Sequence, residues 1–411
     1  MKPIPRRVAL AALVSLAGCS GGQSGSSLPA TSPNGPTTQS VAQSTALILP
    51  SNVRPSCDFV LKIGEAHCLA LMRTDVGDAI PGHVTKDTQI VSGYGPADLH
   101  SAYSIPNSGG AGQTVGIVDA YNDPYAERDL AAYRKQFGLP PCTRASGCFQ
   151  KFNQRGIAGK YPPSDSGWAG EISLDLDMVS AGCPECKIML VEANDSLFVN
   201  LGASVDTAVA KGADIVSNSY SGSEFSSKNP DYSHPGHVIL ASSDDVGLGP
   251  AQPCSYASVV CIGGTSLLKG GGKRGWTETG WVFAGSGCSE DVAKPTWQHD
   301  KGCLNRTETD VSAVADPWTG VAVYDSYAGC CWFVYGGTSV SSPFIASLYA
   351  LAGNAPSQRG ARNIWDGKGV HLFDITSGHR NGDCQQSYLC KAGPGYDGPT
   401  GWGTPNGLGA F

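Results

Sequence analysis

From Tyr94 onward the chain alternates short unbroken apolar runs with longer stretches whose apolar positions recur at helical spacing. Thr114-Val115-Gly116-Ile117-Val118-Asp119-Ala120 predicts a buried strand ending in an acid, and Pro124 to Phe137 predicts a helix. Lys187-Ile188-Met189-Leu190-Val191-Glu192-Ala193 predicts the next strand, followed by a helix from Asp195 to Lys211. Ala213 to Tyr220 and Val238 to Ser243 add strands whose C-terminal ends turn polar. Strands alternating with helices predict an α/β fold of three layers, a mainly parallel central sheet flanked by helices. In such sheets ligands bind beyond the carboxyl ends of the strands, so chemistry is expected at those polar ends.

A further helix is predicted from Trp168 to Ala181, and on it Glu171 and Asp175, four residues apart, share one face. Two carboxylates so close resist joint ionisation, which raises one pKa and suits a group that takes up and then returns a proton. A solvated acidic face is the competing reading, and the apolar neighbours Ile172, Leu174, Leu176 and Val179 weigh against it. Near the C-terminus, Gly336-Gly337-Thr338-Ser339-Val340-Ser341-Ser342-Pro343 precedes an apolar run from Phe344 to Leu351. Small residues there allow a sharp turn that delivers the Ser339 hydroxyl to a helix start, whose free N–H groups can hold an oxyanion. Pro343 is expected in the first helical turn. A Gly/Ser loop capping an ordinary buried helix is the alternative.

A serine nucleophile needs a base. None of the eight histidines precedes a Gly-Thr pair: His67, His83, His100, His234, His237, His299, His371 and His379 are followed by Cys, Val, Ser, Pro, Val, Asp, Leu and Arg. That points to Glu171 as the base, tuned by Asp175. A third acid follows a predicted strand in Ser242-Ser243-Asp244-Asp245-Val246-Gly247. If protonated and aimed into the cleft, Asp245 can donate a hydrogen bond to an oxyanion; a turn-forming aspartate is the other reading.

Composition narrows the class. A chain of 411 residues with 41% hydrophobic content can bury a large core, and a net charge of −7 without a basic, aromatic-rich stretch argues against nucleic acid as a partner. Lys2, Arg6 and Arg7 precede an apolar stretch from Val8 to Leu16, too short to span a bilayer, which reads as an export signal. It ends in Leu16-Ala17-Gly18-Cys19, which resembles a bacterial lipobox with Cys19 as the lipidated residue. Residues 1–19 are thus read as a lipoprotein-type signal and 20–50, rich in Ser, Gly, Thr, Pro and Gln, as a flexible tether. Residues 51–93 form a short N-terminal segment, a reduced propeptide or an extension, and 94–411 the main domain.

Fifteen cysteines less Cys19 leave an even number, most in close pairs. The expected bridges are Cys57–Cys68, Cys142–Cys148, Cys183–Cys186, Cys254–Cys261, Cys288–Cys303 and Cys384–Cys390, in keeping with an oxidising compartment. Zinc at Cys183 and Cys186 is the weaker reading, since no second knuckle accompanies them. The pairing of the adjacent Cys330 and Cys331 is left open.

Taken together, Gly170-Glu171-Ile172-Ser173-Leu174-Asp175, Ser217-Asn218-Ser219-Tyr220, Ser242 to Gly247 and Gly337-Thr338-Ser339 through Pro343 closely resemble the sedolisin family of serine-carboxyl peptidases, over about Tyr94 to Phe411. The resemblance implies a subtilisin-like fold, endopeptidase or tripeptidyl peptidase action at acidic pH, Ser339 as nucleophile, Glu171 as general base and acid, Asp175 as its partner, and Asp245 as the oxyanion-hole acid. Near the C-terminus, Asp374-Ile375 and Ala392-Gly393-Pro394-Gly395-Tyr396-Asp397 read either as ordinary turns or as a hard-oxygen shell for Ca²⁺. The resemblance favours one Ca²⁺ held by the Asp374 and Asp397 side chains and the carbonyls of Ile375, Gly393 and Gly395. Two departures stand out: Asp244 occupies a position where the family usually has Gly, and the N-terminal segment is much shorter than the family's large propeptide. The expectation is an exported, monomeric peptidase of the bacterial cell envelope, anchored to a membrane only through lipid on Cys19 and acting on peptide or protein substrates. The alternative is a catalytically inactive envelope binding protein on the same fold.

Overall fold

The computed structural model describes residues 49–59, 62–76, 91–226, 228–327, 329, 331–378, 384 and 387–411. The expected export signal with Cys19, nearly all of the expected tether, and Cys330 lie outside the described residues. In chain order the early elements are β1 (Val53–Pro55), β2 (His67–Cys68), β3 (Leu71–Arg73), α1 (Pro96–Tyr103), β4 (Thr114–Ala120) and α2 (Ala126–Gln136). There follow β5 (Phe149–Asn153), α3 (Ser166–Gly182), β6 (Lys187–Ala193), α4 (Phe198–Ala210), β7 (Ile215–Asn218), β8 (Tyr220–Ser223) and β9 (Val238–Ser242). Then come β10 (Ala251–Gln252), β11 (Val259–Lys269), β12 (Trp276–Gly280), β13 (Gly287–Ala293), β14 (Asn305–Glu308) and β15 (Val311–Val314). The chain ends with β16 (Val321–Tyr324), β17 (Trp332–Gly336), α5 (Thr338–Ala352), α6 (Arg362–Gly367), β18 (Leu372–Phe373) and β19 (Thr404–Pro405).

The central sheet runs β12-β11-β9-β7-β4-β6-β5, with β15 also pairing with β11. All its pairings are parallel except β11 with β12. Its strands β4, β6, β7 and β9 are buried along nearly their whole length, as parallel strands covered on both faces must be. One apolar cluster, with Ile117, Leu174, Leu190 and Phe344, packs α3 and α5 against the sheet; a second, with Val118, Val191, Leu201 and Val205, packs α4. The helices therefore flank the sheet, and the expected α/β three-layer architecture stands.

Local chemistry sets the two helices that matter most. Helix α3 starts where the Asp165 side chain accepts hydrogen bonds from the N–H groups of Gly167 and Trp168. From Trp168 to Gly182 every residue of α3 is buried. A side chain at Gly182 would strike the Ser347 hydroxyl of α5, 1.8 Å from where its first carbon would stand, so α3 and α5 approach closely there. Helix α5 differs from expectation at one residue. Gly337, at φ 97°, is the residue before the helix, and Pro343 lies inside it rather than in its first turn. The helix survives because the N–H that Pro343 lacks would have served only the Ser339 carbonyl, one turn earlier.

The six close disulfides expected from spacing are all formed. Cys183 and Cys186 are therefore bridged to each other, which leaves no thiolates for zinc. Cys331 is also in a disulfide. The described part of the short N-terminal segment belongs to the same compact unit as the rest, Leu47–Phe411. No helix among the described residues is long and apolar enough to cross a membrane.

Candidate active site

Helix α3 presents Glu171 and Asp175 inward, and both are fully buried. At the first turn of α5, Ser339 is equally buried and its hydroxyl donates to the Ser219 carbonyl at 3.3 Å. Ser219 sits between β7 and β8, at the carboxyl edge of the sheet where the strand pattern placed the chemistry. Both Ser339 and Asp175 act on the Glu171 carboxyl, and Ser219 acts on Asp175. These contacts are not closed hydrogen bonds: Glu171 Oε1 and both Asp175 oxygens make none.

Burial governs the electrostatics. Desolvation pushes the Glu171 carboxyl up to about 8, against the pull of hydrogen bonds from its neighbours. Asp175 is raised well above the usual carboxylate range, first by burial and then by the charges of Asp119 and Glu171. In a water-poor site the neutral form of each acid is favoured, and one proton is shared more easily than two charges are held.

Asp245 follows β9 and faces the start of α5. Its Oδ1 accepts from the Thr338 N–H at 2.9 Å and from the Thr338 hydroxyl at 2.8 Å. Its Oδ2 is buried without a partner. Burial raises this carboxyl well above its ordinary range, and the nearby charges of Asp244 and Glu171 add to the effect. An unpartnered oxygen on a neutral acid is a proton donor waiting for an acceptor. The free N–H groups expected at the helix start are thus partly spent, because that of Thr338 serves Asp245. Asp244 takes φ 88°, a left-handed conformation that favours glycine, and its carboxylate accepts from the Asp245 N–H at 2.6 Å.

The structure brings Ser339, Glu171, Asp175 and Asp245 into one buried cluster. Three neighbours were not singled out as site residues by the sequence: Asp119, Thr338 and Ser219. Asp119 is the next-to-last residue of β4, is fully buried, and makes no hydrogen bond through either oxygen. Burial raises it well above the usual range, and Glu171 adds to this. An acid at the end of an otherwise apolar parallel strand was the available signal. Also unforeseen, the N–H groups of Leu69 and Ala70, in the N-terminal segment, donate to Glu171 Oε2 at 2.9 and 2.7 Å.

The expected cation site lies apart, in the loop between β18 and β19. Asp397 accepts from the Gly393 N–H at 2.9 Å through Oδ2 and from Thr400 through Oδ1, and Asp374 accepts from the Gly395 N–H at 3.0 Å. Asp397 is pushed up to about 7, mainly by burial, with Asp374 close enough to contribute. Two facing carboxylates on one glycine-rich loop fit a hard divalent cation.

No protein-family model matches the chain. Kumamolisin of Bacillus sp. (strain MN-32) is 28% identical over 358 residues, covering 77% of this chain and 62% of kumamolisin. The Bos taurus tripeptidyl-peptidase 1 is 24% identical over 424 residues, 87% of this chain and 70% of that protein. The chain thus spans a little over three fifths of kumamolisin's length. Pseudomonas sedolisin, a serine-carboxyl proteinase solved with two molecules of pseudo-iodotyrostatin, superposes with a TM-score of 0.64 at 22% identity, over 77% of this chain and 96% of that one. That superposition, on a sheet in the same three-layer arrangement, shows the fold to be subtilisin-like. Matched across most of its length by relatives of 24 to 28% identity, the chain is similar to members of the sedolisin family.

Proposed function

We propose that the protein is a serine-carboxyl peptidase that hydrolyses peptide bonds at acidic pH. One observation carries the reading: Ser339 lies beside the buried Glu171, which is coupled to the buried Asp175, while the buried Asp245 binds the adjoining Thr338, and all three carboxyls have raised pKa values. Ser339 attacks the scissile carbonyl while Glu171 takes its proton, and Asp175 shares the proton load. Asp245, neutral, donates from Oδ2 to the developing oxyanion, which an ionised carboxylate would repel. Glu171 then returns the proton to the leaving amine, and water releases the acyl group from Ser339.

One Ca²⁺ would be held by the Asp374 and Asp397 carboxylates with the carbonyls of Ile375, Gly393 and Gly395, and it would tie down the loop between β18 and β19. Export is supported by the leader-like N-terminus and the disulfides. Anchorage through Cys19 on the cell envelope rests on the lipobox-like sequence.

The test is cleavage of denatured casein across the acidic and neutral range by the purified chain, beside Ser339→Ala and Glu171→Gln. Acidic proteolysis is expected, and it should vanish in Ser339→Ala and fall by orders of magnitude in Glu171→Gln. Full activity in either variant would sink the mechanism. The second reading, an inactive envelope binding protein, draws on one observation: Ser339 is fully buried, and the neighbouring Glu171 is held by two N–H groups of the chain's own N-terminal segment. Silence of a folded, calcium-loaded sample would favour it.

A further inference from the structure

Apart from the catalytic cluster, a hollow of about 530 Å³ opens where three stretches of chain meet: the loop between β13 and β14, the end of α6, and the loop between β18 and β19. None of Ser339, Glu171, Asp175 and Asp245 lines it. Its wall is aromatic. Trp365, Tyr388, Tyr396 and Trp402 pack on one another at tilts of 45° to 85°, with Trp365 4.3 Å from Tyr396 and 5.6 Å from Trp402 between ring centres. The volume suits a small molecule, and an aromatic wall with a few polar groups is the usual make-up of a small-molecule site.

The polar groups of the hollow are unevenly paired. Asp300 Oδ2 accepts from the Thr307 and Tyr388 hydroxyls, both at 2.8 Å, and lies 2.9 Å from Lys294 Nζ. Asp300 Oδ1 is buried and has no partner, and the same holds for the Tyr396 hydroxyl and the Trp402 indole N–H. The Trp365 N–H, by contrast, is spent on Asp310 Oδ1 at 2.7 Å. One acceptor and two donors are thus left over on residues that line the hollow, and buried polar groups seldom stay unpaired without a reason. Trp402 is only half-buried, so a small turn of its ring brings its N–H to a molecule seated there.

The rim is positive. His299, Lys301 and Lys368 line it, all exposed, and their side chains make no ion pair or hydrogen bond among the described residues. Asp300, the acid of the hollow, is offset by Lys294. Such a rim repels an amine and attracts an anion. A flat aromatic acid fits less well, because the wall rings are packed at steep tilts with no parallel slot between them, and it has no O–H to give to Asp300 Oδ1. A sugar ring meets every requirement. Its C–H bonds are drawn to the negative faces of aromatic rings, its hydroxyls both donate and accept, and an attached carboxylate or phosphate reaches the lysines.

We propose that this hollow is a binding site for an anionic sugar, a ring carrying a carboxylate or a phosphate. The ring lies against Trp402 and Tyr388, a hydroxyl donates to Asp300 Oδ1, and Lys301 and Lys368 hold the anion. The site goes beyond the peptidase reading and stands whether or not Ser339 is active. It gives the protein a means of staying on an acidic glycan that is separate from its cleft.

The full chain carrying Ser339→Ala, which cannot digest itself, is saturated with calcium and titrated at about pH 5, where sugar acids are ionised and histidine is charged. The probes are trigalacturonate, glucose 6-phosphate, maltotriose and N-acetylphenylalanine, followed by calorimetry and tryptophan fluorescence. Trigalacturonate or glucose 6-phosphate is expected to bind with Kd below about 1 mM, and the tighter of the two tells a carboxylate source from a phosphate source. Changing both Lys301→Gln and Lys368→Gln, at exposed positions, should weaken that binding by about tenfold and remove most of its salt dependence. Trp402→Ala should weaken it similarly and abolish the fluorescence change; its melting temperature reports whether it folds, and the lysine pair decides the matter if it does not. Failure of both charged sugars to bind, equal binding of neutral maltotriose, or binding unchanged in the lysine pair overturns the inference. Tighter binding of N-acetylphenylalanine than of either charged sugar overturns it in favour of a peptide carboxyl terminus as the occupant.

Discussion

Asp245 divides its work between its two oxygens. Thr338 saturates Oδ1 with two hydrogen bonds, while Oδ2 is buried and free. Because burial raises this carboxyl well above its ordinary range, the neutral form is favoured and the free oxygen can carry a proton in acid. Asn reproduces the pattern, with an amide oxygen for Thr338 and an NH₂ toward the oxyanion. Ala reproduces neither. In casein or peptide assays, Asp245→Ala is expected to lose about 10²–10³-fold in kcat with little change in KM, as for loss of one oxyanion donor, and Asp245→Asn should be markedly faster than Ala. Equal kcat in the two variants would mean that hydrogen-bond donation at this position is not used.

The elements with a clear period were legible, and those set by distant pairing were not. Helix α3, expected from Trp168 to Ala181, runs from Ser166 to Gly182, its earlier start set by the Asp165 cap and its end one residue later. Helix α5 starts where the small residues before Ser339 placed its turn, at Gly337, and only Pro343 differs, lying inside the helix rather than in its first turn. Ser339, Glu171, Asp175 and Asp245 could be named because each sits at a strand end or on a periodic helix. Strands β2 and β3 carry two and three residues and have no period to read; their places are fixed by β8 and β17, far along the chain. The loop between β18 and β19 is similar, since only the fold brings Asp374 toward Asp397. The strand pair holding this loop is two residues long on each side, and β19 lies against β15 through the Ser312 N–H to Gly403 carbonyl bond. So short a ladder gains much from a bound cation. Chelation with EGTA should lower the melting temperature, by about 2.7 kcal/mol of stability if calcium had been present at a hundredfold its Kd, and Asp397→Asn should no longer respond to calcium. A melting temperature indifferent to both calcium and chelator would leave the loop as ordinary turns.

Across the whole molecule, acids that must ionise in water are held where ionisation is costly. Asp119, Asp175, Asp177, Asp245 and Glu308 are all raised well above their ordinary values by burial, Asp123 to about 7, and Glu171 and Glu192 to about 8. Lys151, 2.8 Å from Glu192, offsets only part of this at its own position. Among the described residues the opposing cases, Asp75 lowered to about 2 by Arg73 and Glu127 lowered by Arg144, lie near the surface and are therefore weak. Between the unfolded values near 4 and these folded values, the native state binds more protons than the unfolded chain, so unfolding free energy falls as pH rises. The stabilising contribution is complete below about pH 4 and is lost as pH climbs through about 7 to 8. Most proteins are most stable between about pH 5 and 8, whereas this one should melt highest in acid. Thermal melts at saturating calcium on Ser339→Ala, which removes self-digestion from the measurement, should show a melting temperature that declines steadily from about pH 4 to pH 8, each excess bound proton contributing about 1.4 kcal/mol per pH unit. A melting temperature that is flat or rises toward neutral pH would show these carboxyls to be ionised in the fold, and with that the neutral Asp245 and the proton-sharing Glu171–Asp175 pair would both be lost.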